Sequence, residues 1–428
     1  QHGFRRSRST LSQLVEHLEQ VISNLETGGL VDVVYLDLSK AFDKVDFGIL
    51  MNHLKKIGVR GKIGEWLYNF LCGRKQYVFA EGGTSKIADV ISGVPQGTVL
   101  GPLLFLILLT SIDVNIESFI ASFADDTKLQ RQVKSIDDVK LLQMDLDRVY
   151  EWARTNNMEF NSDKFQLLRY GTNDALKTTT TYKNSTGGEI EESSSTRDLG
   201  IIMSSNGKFT EHINMIVQKA TNMSGWIFRT FYTRDAKPMM TLYKALVLSR
   251  LDYCCPLWNP QNSAFLCNKI ESVQRAYTRR ITGMDGLDYW DRLKALRLYS
   301  IQRRRERYIV LYVFKIIHGL VPNCGLEFKN NPRTGIHVTV PKLDRNKTSF
   351  ALQMQENSFN YVGPVLYNSI PSSLRNIYDN IDPALTFKTE LDYILTRVPD
   401  EPTIPGKSRR ASSNSIVDQF RYYCNAPV

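Results

Sequence analysis

Apolar residues in the first part of the chain follow two spacings in turn, one typical of helices and one typical of strands. Between residues 11 and 25 they recur every three or four positions, and Gly28-Gly29 then ends the pattern, so we predict a helix. Residues 30–37 form a largely apolar, β-branched run that ends in Asp37. This run predicts a central strand with Asp37 at its carboxyl end.

Two further segments, residues 46–57 and 63–71, have helical spacing. Asp46 can cap the first of them, and we expect the apolar residues of both helices to lie in the core. Residues 74–80 and 86–91 flank two glycines and predict a hairpin.

A turn dense in glycine and proline, residues 92–98, leads into an apolar helix over residues 99–109. Glycines let a backbone approach a ligand closely, and Gln96 lies between Pro95 and Gly97, so its position is tightly restricted. The turn is a candidate functional segment because it lies between the Asp37 strand and the acidic pair that follows.

That acidic pair, Asp125-Asp126, interrupts an apolar run that starts at residue 118 and resumes after the pair. Aspartate tolerates turns and is disfavoured inside strands, so the pattern predicts a hairpin with the acids at its tip. A second pair, Asp137-Asp138, follows Ser135 at the start of a helical pattern, and we predict that it caps that helix.

The rest of the chain changes from mixed to helical character. Residues 165–170 predict a strand, residues 173–195 predict short exposed strands or an insertion loop, and residues 198–203 return to strand character. Beyond residue 209 nearly all apolar spacing is helical. We therefore predict an α+β part and an α part with a boundary near residue 205, and a disordered Pro- and Ser-rich tail over residues 400–428.

Composition restricts the class of protein. The 428 residues are 42% hydrophobic and 23% charged, as in an ordinary soluble protein. The longest apolar stretch is far shorter than the roughly 20 residues of a membrane span. The six cysteines form no CxxC pair and the six histidines complete no zinc-ligand spacing, so we expect a reduced intracellular protein without structural zinc.

The net charge of +10 is unevenly distributed. Residues 261–318 contain 12 Lys and Arg against 5 Asp and Glu, an excess of +7, with aromatic residues interleaved. This pattern indicates contact with nucleic-acid phosphates, and the alternative is a solvated helix face.

Asp37 at a strand end and Asp125-Asp126 at a hairpin tip become a candidate site if the strands are neighbours. Clustered carboxylates hold divalent ions that activate a hydroxyl and stabilise the leaving oxygen in a phosphoryl displacement.

Three stretches resemble, in order and spacing, motifs A, B and C of reverse transcriptases, and most closely those of non-long-terminal-repeat (LINE-type) retrotransposons. The stretches are residues 35–43, 92–102 and 123–126. Residues 1–5 are similar to motif 2 of the fingers. Lys164 is similar to the motif D lysine, and residues 199–201 are similar to the motif E hairpin that grips the primer.

The resemblance implies an α+β right-hand polymerase palm, an antiparallel sheet with helices, followed by an all-α thumb and C-terminal region. The implied domains are partial fingers and palm over residues 1–205, a helical thumb over 206–290, a basic and mainly helical region over 291–399, and the tail.

The resemblance also implies roles for single residues. Asp37, Asp125 and Asp126 bind two magnesium ions, for which manganese is an alternative, and the main-chain carbonyl of Leu38 adds a ligand. Lys164 protonates the pyrophosphate leaving group. The expected nucleotide-binding residues are Leu38, Phe42, Gln96, Gly97 and Arg5. The expected primer-template contacts are Gly200, Arg279, Arg280, Arg303, Arg304 and Arg305.

Two of these residues, Phe42 and Gln96, are expected to contact the incoming nucleotide most directly. Phe42 matches the bulky residue that excludes a ribose 2′-hydroxyl, and Gln96 matches the residue that touches the incoming nucleotide and template. For Asp43, we favour structural support of the loop over metal ligation.

The implied activity is RNA-directed DNA polymerisation, with an RNA template, a DNA primer or target and dNTPs as partners, no membrane, and a location in the nucleus and cytoplasm. The family's endonuclease, its further fingers residues and the Cys/His knuckle of many relatives have no counterpart in this sequence. We therefore expect that target cleavage is not encoded in these 428 residues.

Two other functions remain open from the sequence. One is a catalytically inactive, truncated or host-recruited nucleic-acid-binding relic, which the intact Asp37, Asp125, Asp126, Gln96 and Phe42 argue against. The other is an RNA-templated RNA polymerase, which Phe42 argues against because that enzyme must admit a 2′-hydroxyl.

Overall fold

The computed structural model describes residues 1–331, 333, 335–344, 346–376, 382–402 and 414–423. The chain forms two compact units. The first contains residues 1–13 and 27–196, and the second contains residues 14–26 and 197–428. The main division thus falls between Thr196 and Arg197, close to the predicted residue 205. The sequence did not predict that most of the first helix would group with the C-terminal residues.

The elements up to residue 179 begin with helix α1, which runs from the first unit into the second, and continue with the strands and helices of the first unit. They are α1 (Thr10–Glu26), β1 (Leu30–Asp37), α2 (Phe47–Lys56), α3 (Gly61–Leu71), β2 (Lys75–Gln76), β3 (Phe79–Ala80), β4 (Gly83–Thr84), β5 (Ala88–Asp89), α4 (Leu100–Leu109), β6 (Phe119–Phe123), β7 (Asp126–Val133), α5 (Ile136–Thr155), β8 (Gln166–Tyr170) and α6 (Asp174–Thr179).

A four-stranded antiparallel sheet, in the order β6-β7-β1-β8, is the centre of the first unit. Strand β1 is paired on both sides, with β7 from Leu30 opposite Val133 to Asp37 opposite Asp126, and with β8. Its valines are fully buried, which explains why the strand is an almost continuous apolar run. The predicted central strand is confirmed with its predicted bounds.

Helices α2, α4 and α5 contribute to one hydrophobic core with this sheet. Helix α2 begins after Asp46, whose carboxylate accepts the Ile49 N–H at 2.9 Å. Helix α5 begins with a capping box in which Asp138 accepts the N–H of Ser135 at 2.9 Å. Both predicted caps are confirmed, and Asp138 of the second acidic pair has the predicted structural role.

Helix α3 differs from its prediction. Leu67 and Leu71 are buried as expected, whereas Ile63 is 65% exposed and Trp66 is 56% exposed. Trp66 instead stacks on Phe70, with ring centroids 5.7 Å apart. The predicted hairpin after α3 forms in two short pieces, β2 with β5 and β3 with β4.

The second unit is mainly helical, as predicted, and also contains one two-stranded sheet after residue 320. Its elements, together with the hairpin that leads into it, are β9 (Ser195–Asp198), β10 (Ile201–Ser204), α7 (Thr210–Thr230), α8 (Ala236–Leu242), α9 (Ser249–Asp252), α10 (Cys255–Trp258), α11 (Ala264–Thr278), α12 (Tyr289–Leu296), α13 (Ile301–Ile317), β11 (Phe328–Asn331), β12 (Gly335–Val338), α14 (Ser349–Glu356), α15 (Phe359–Ser369), α16 (Ser372–Arg375), α17 (Pro383–Arg397) and α18 (Ile416–Tyr423). A π-helical segment, Tyr243–Leu248, joins α8 to α9.

The predicted disordered tail is wrong for residues 414–423. Ile416 and Phe420 of α18 are each 1% exposed, and the buried carboxylate of Glu306 accepts the Ile416 N–H. The sequence analysis missed the short amphipathic helix α18 because polar residues surround it in the sequence. Residues 403–413 and 424–428 of the predicted tail lie outside the described residues.

Candidate active site

The strand register brings two of the three acids of the candidate site face to face. Asp37, the last residue of β1, lies opposite Asp126, the first residue of β7. Residues directly opposite each other in an antiparallel pair point to the same face, with Cβ atoms about 4.5–5.5 Å apart. Asp125 is the second residue of the two-residue turn between β6 and β7, and it directly precedes Asp126. The sheet therefore places Asp37 and Asp126 on one face, and Asp125 lies in the adjoining turn.

The turn depends on Ala124, whose φ of +57° is in the left-handed region. A positive φ at the first of two turn residues matches the right-handed twist of the flanking strands, and glycine is the usual residue there. Alanine takes this conformation only at a cost. The sequence predicted both acids at the tip, whereas Asp125 lies in the turn and Asp126 already belongs to β7.

Lys164 is the basic partner of this cluster. It ends a 3₁₀ turn just before β8, and its Nζ donates to Oδ2 of Asp37 at 2.9 Å. The hydrogen bond and charge of Asp37 raise the pKa of Lys164, and Asp126 and Asp125 raise it further. All three acids therefore act electrostatically on one ammonium group.

Asp125 responds to the same cluster. Burial raises the pKa of its carboxyl group, and the negative charge of Asp37 adds to that rise. The charge of Lys164 and a backbone hydrogen bond act in the opposite direction. Like charges held this close favour a bound cation, because a cation removes their repulsion.

The three carboxylates have the ligand chemistry of a hard divalent-ion site, although among the described residues no group of three or more His, Cys, Asp or Glu side chains is arranged so that it could hold a metal ion. Three carboxylates at a strand end and an adjacent turn supply the oxygen ligands that such ions prefer.

The predicted additional ligand, the main-chain carbonyl of Leu38, lies at a backbone bridge between Leu38 and Phe160. This bridge is formed by two hydrogen bonds of 2.8 Å each, from the Ser39 N–H to the Glu159 carbonyl and from the Asn161 N–H to the Asp37 carbonyl. That bridge does not use the carbonyl of Leu38.

Phe42 is held as part of a packed aromatic wall. Its ring stacks on the fully buried Phe105, with centroids 4.5 Å apart, and the edge of Phe4 lies at 6.0 Å. The carbonyl of Phe42 accepts the Val94 N–H at 2.9 Å. A ring fixed on several sides can act as a steric boundary. The sequence missed its two aromatic neighbours, because their distance along the chain gives no signal.

The loop of Gln96 is tied to the loop of Asp43. Gln96 Nε2 donates to Asp43 Oδ1 at 2.9 Å, and Ser92 Oγ donates to the Asp43 carbonyl at 2.8 Å. At Gly93 a Cβ would lie 2.8 Å from the Asp43 Cα, so only glycine permits this approach. These contacts give Asp43 the loop-supporting position that we favoured. Gly97, with φ of +77°, is exposed beside Gln96.

The remaining predicted contacts are on surfaces of their own units. Arg5 is exposed on the N-terminal loop. Gly200 lies in the tight β9–β10 turn, where Leu199 and Gly200 both have positive φ, and Tyr253 donates to the Leu199 carbonyl at 2.8 Å. Arg279 and Arg280 are exposed at the end of α11, and the guanidinium of Arg280 lies 4.0 Å from the centre of the Phe228 ring.

The prediction of primer-template contact is wrong for Arg303 and Arg305, whose side chains are buried in the second unit. Arg303 and Arg305 are 1% and 0% exposed. Arg303 donates to the carbonyls of Leu395 at 3.1 Å, and of Val398 and Pro399 at 2.6 Å each.

The other two arginines are also held by protein groups. Arg304 is paired with Asp252 at 2.8 Å, and Arg305 lies against Cys267 and the Trp258 ring. Helix α13 is covered by α10, α11, α15 and α17, so its charges bind protein groups instead of phosphates.

Comparisons with known proteins agree with the geometry. Residues 1–203 match the family model described as reverse transcriptase (RNA-dependent DNA polymerase). Residues 1–203 belong to the reverse transcriptase family.

The chain is 28% identical to the RNA-directed DNA polymerase from mobile element jockey of Drosophila melanogaster, over 66% of this chain and 32% of that protein. It is 27% identical to the jockey polymerase of Drosophila funebris, with the same two shares covered. The chain thus spans about a third of the length of these relatives.

Among solved structures, the chain is similar to telomerase from Candida tropicalis in complex with a TWJ fragment of telomeric RNA. The TM-score is 0.38 at 11% identity, over 73% of this chain and 46% of that one. Separately, none of the helices in the described part of the chain is long and apolar enough to cross a membrane.

The burial of Arg303 predicts a structural role. Arg303→Ala leaves three carbonyls at the end of α17 without their donor, and removal of one partner from a buried charged network costs about 3–5 kcal/mol. The exposed Arg279→Ala is the matched control and should change the unfolding free energy by about 0.5 kcal/mol or less. Urea unfolding measures both, and equal stabilities would contradict the assignment.

Proposed function

We propose that this chain is the polymerase part of a LINE-type retrotransposon protein, an RNA-directed DNA polymerase that extends a primer 3′-hydroxyl by template-directed nucleotidyl transfer. The observation that carries the proposal is the register of Asp37 with Asp126, beside which Asp125 occupies the adjoining turn and Lys164 bonds to Asp37. The relatives named RNA-directed DNA polymerase support it.

In this proposal Asp37, Asp125 and Asp126 hold two Mg²⁺ ions, or Mn²⁺ as an alternative, and the Leu38 carbonyl adds a ligand. The ions, when bound, lower the pKa of the attacking 3′-hydroxyl and stabilise charge on the leaving pyrophosphate. Asp37 must then exchange its Lys164 partner for a metal ion. The released ammonium group is charged at neutral pH and can donate a proton to the pyrophosphate.

The nucleotide would be enclosed by residues already held in fixed positions. Phe42 excludes a 2′-hydroxyl, Gln96 and Gly97 border the incoming base and its template partner, and Arg5 offers charge to the triphosphate. Asp43 holds Gln96 in place by accepting the hydrogen bond from the Gln96 side-chain amide.

Primer and template would be bound by the Gly200 turn and by Arg279 and Arg280, whose exposed charges suit a phosphate backbone. We assign residues 1–205 to partial fingers and palm, 206–290 to the thumb and 291–399 to the C-terminal region. The protein would act inside the cell, in the nucleus or cytoplasm, on an RNA template, a DNA primer and dNTPs.

Primer extension with Mg²⁺ tests the function. Asp37→Asn, Asp125→Asn and Asp126→Asn should each lower incorporation by about a thousandfold or more, because loss of a metal ligand removes several kcal/mol of transition-state stabilisation. Asp137→Asn, in the acidic pair that starts α5, is the matched control and should retain activity. A nucleic-acid-binding relic would instead bind primer-template without extending it, and all four variants would then equal the parent chain.

Phe42 predicts the choice of sugar. Phe42→Val should leave dNTP incorporation measurable and raise rNTP incorporation by about a hundredfold or more, because a packed ring collides with a 2′-hydroxyl whereas weak contacts alone discriminate by only about that factor. Single-nucleotide extension with matched dNTP and rNTP measures the ratio. Phe79→Ala removes an exposed ring from the same unit and should leave it unchanged. An unaltered ratio in an active Phe42→Val variant would show that Phe42 is not the sugar gate.

A further inference from the structure

The first three residues lie against the turn that carries Asp125. Strand β6 is an edge strand of the sheet, and the His2 N–H donates to the Ser122 carbonyl of that strand at 2.9 Å. The segment thus extends the backbone pairing of β6 toward the turn.

The side chain of Gln1 bonds both backbone groups of the strained turn residue. Its Oε1 accepts the Ala124 N–H at 2.9 Å, and its Nε2 donates to the Ala124 carbonyl at 3.1 Å. The same Oε1 accepts the Gly3 N–H at 2.8 Å, which fixes the amide relative to its own segment. An amide is suited to this position because it offers an acceptor and a donor side by side.

Gly3 permits the close approach. A Cβ at this position would lie 2.5 Å from the Ala124 nitrogen and 3.2 Å from the Ala124 Cα. Both atoms are backbone atoms of the turn, so an added methyl group could be accommodated only by moving the turn or the segment. The contact is therefore specific to glycine.

The turn needs outside support. A non-glycine residue in the left-handed region costs of the order of 1–3 kcal/mol and persists where the surroundings determine it. Gln1 supplies partners to both polar groups of that residue, and Asp125 is the next residue along the chain. A relaxed turn would redirect the Asp125 carboxylate away from Asp37.

We propose that Gln1 and Gly3 are positioning residues that clamp the Ala124-Asp125 turn and so hold the acidic pair in its metal-binding arrangement. They touch neither substrate nor metal and act through the backbone of Ala124. This inference rests on the proposed function for its catalytic consequence, whereas the clamp itself is independent of it.

The test uses the full chain with Gln1→Ala and Gly3→Ala, and three readouts. Amide hydrogen exchange over residues 123–127 should be about tenfold faster or more in Gln1→Ala, because both side-chain hydrogen bonds to Ala124 are lost. Mn²⁺ affinity, measured by electron paramagnetic resonance, should fall about tenfold. The kcat for dNTP incorporation should fall about 10–100-fold with KM within about twofold, since misplacement affects the chemical step.

Two variants serve as matched controls. Gln20→Ala removes a glutamine amide elsewhere, and Gly64→Ala adds a methyl group where the nearest contact would be 3.7 Å away. Both should leave all three readouts unchanged. Gln1→Glu keeps the acceptor for the Ala124 N–H and loses the donor, so its exchange rate should lie between those of the parent and Gln1→Ala.

The outcomes separate the two proposals. Unchanged exchange or unchanged Mn²⁺ affinity in Gln1→Ala would overturn the clamp. Faster exchange and weaker Mn²⁺ binding in a chain whose parent form incorporates no nucleotide would support the clamp and overturn the polymerase proposal.

Discussion

The pairing of Asp37 with Asp126 across β1 and β7 is the constraint on which the candidate site depends. Carboxylates directly opposite each other on one face of a sheet repel, and such pairs destabilise the sheet that carries them. The strands around them must therefore supply the stability. Strand β1 does so through buried valines and pairing on both sides. Lys164 offsets part of the repulsion by its bond to Asp37.

The surroundings of the acids show how a rigid frame and local strain are combined. The sheet and the helices packed on it fix Asp37 and Asp126, whereas Asp125 depends on a left-handed alanine in a two-residue turn. The loops of Phe42 and Gln96 are joined through Asp43 and through the glycine approach at Gly93. The candidate residues are thus positioned by a combination of strand pairing, ring stacking and side-chain hydrogen bonds.

The sequence predicted those parts of the molecule in which local pattern and tertiary structure agree. Strand β1, its terminal acid, the hairpin that follows and the caps of α2 and α5 all have signals within a few residues. The sequence failed where a distant partner decides the outcome. The arginines of α13 were interpreted as phosphate contacts because neither Asp252 nor the end of α17 is near them in sequence. The same cause hid the support that Gln1 gives to Ala124, 123 residues away.

The charge pattern of α13 also explains why charge composition was a poorer guide to this chain than the sequence motifs were. A run of arginines has the same net charge whether it binds phosphates or caps a helix end, and only burial separates the two. The acids of the site have no such ambiguity, because two of them face each other across a strand pair, where hydrophobic packing gives no reason to bring carboxylates together. The placement of Asp37 and Asp126 was therefore more predictable than the surroundings of the α13 arginines.

The most direct test of this account is a crystal structure of the chain grown with Mn²⁺, primer-template and a non-reactive dNTP analogue, with the anomalous scattering of manganese used to locate the ions. The account predicts manganese peaks coordinated by the carboxylates of Asp37, Asp125 and Asp126, with Lys164 separated from Asp37. Manganese bound elsewhere while the Lys164–Asp37 pair stays intact would contradict it.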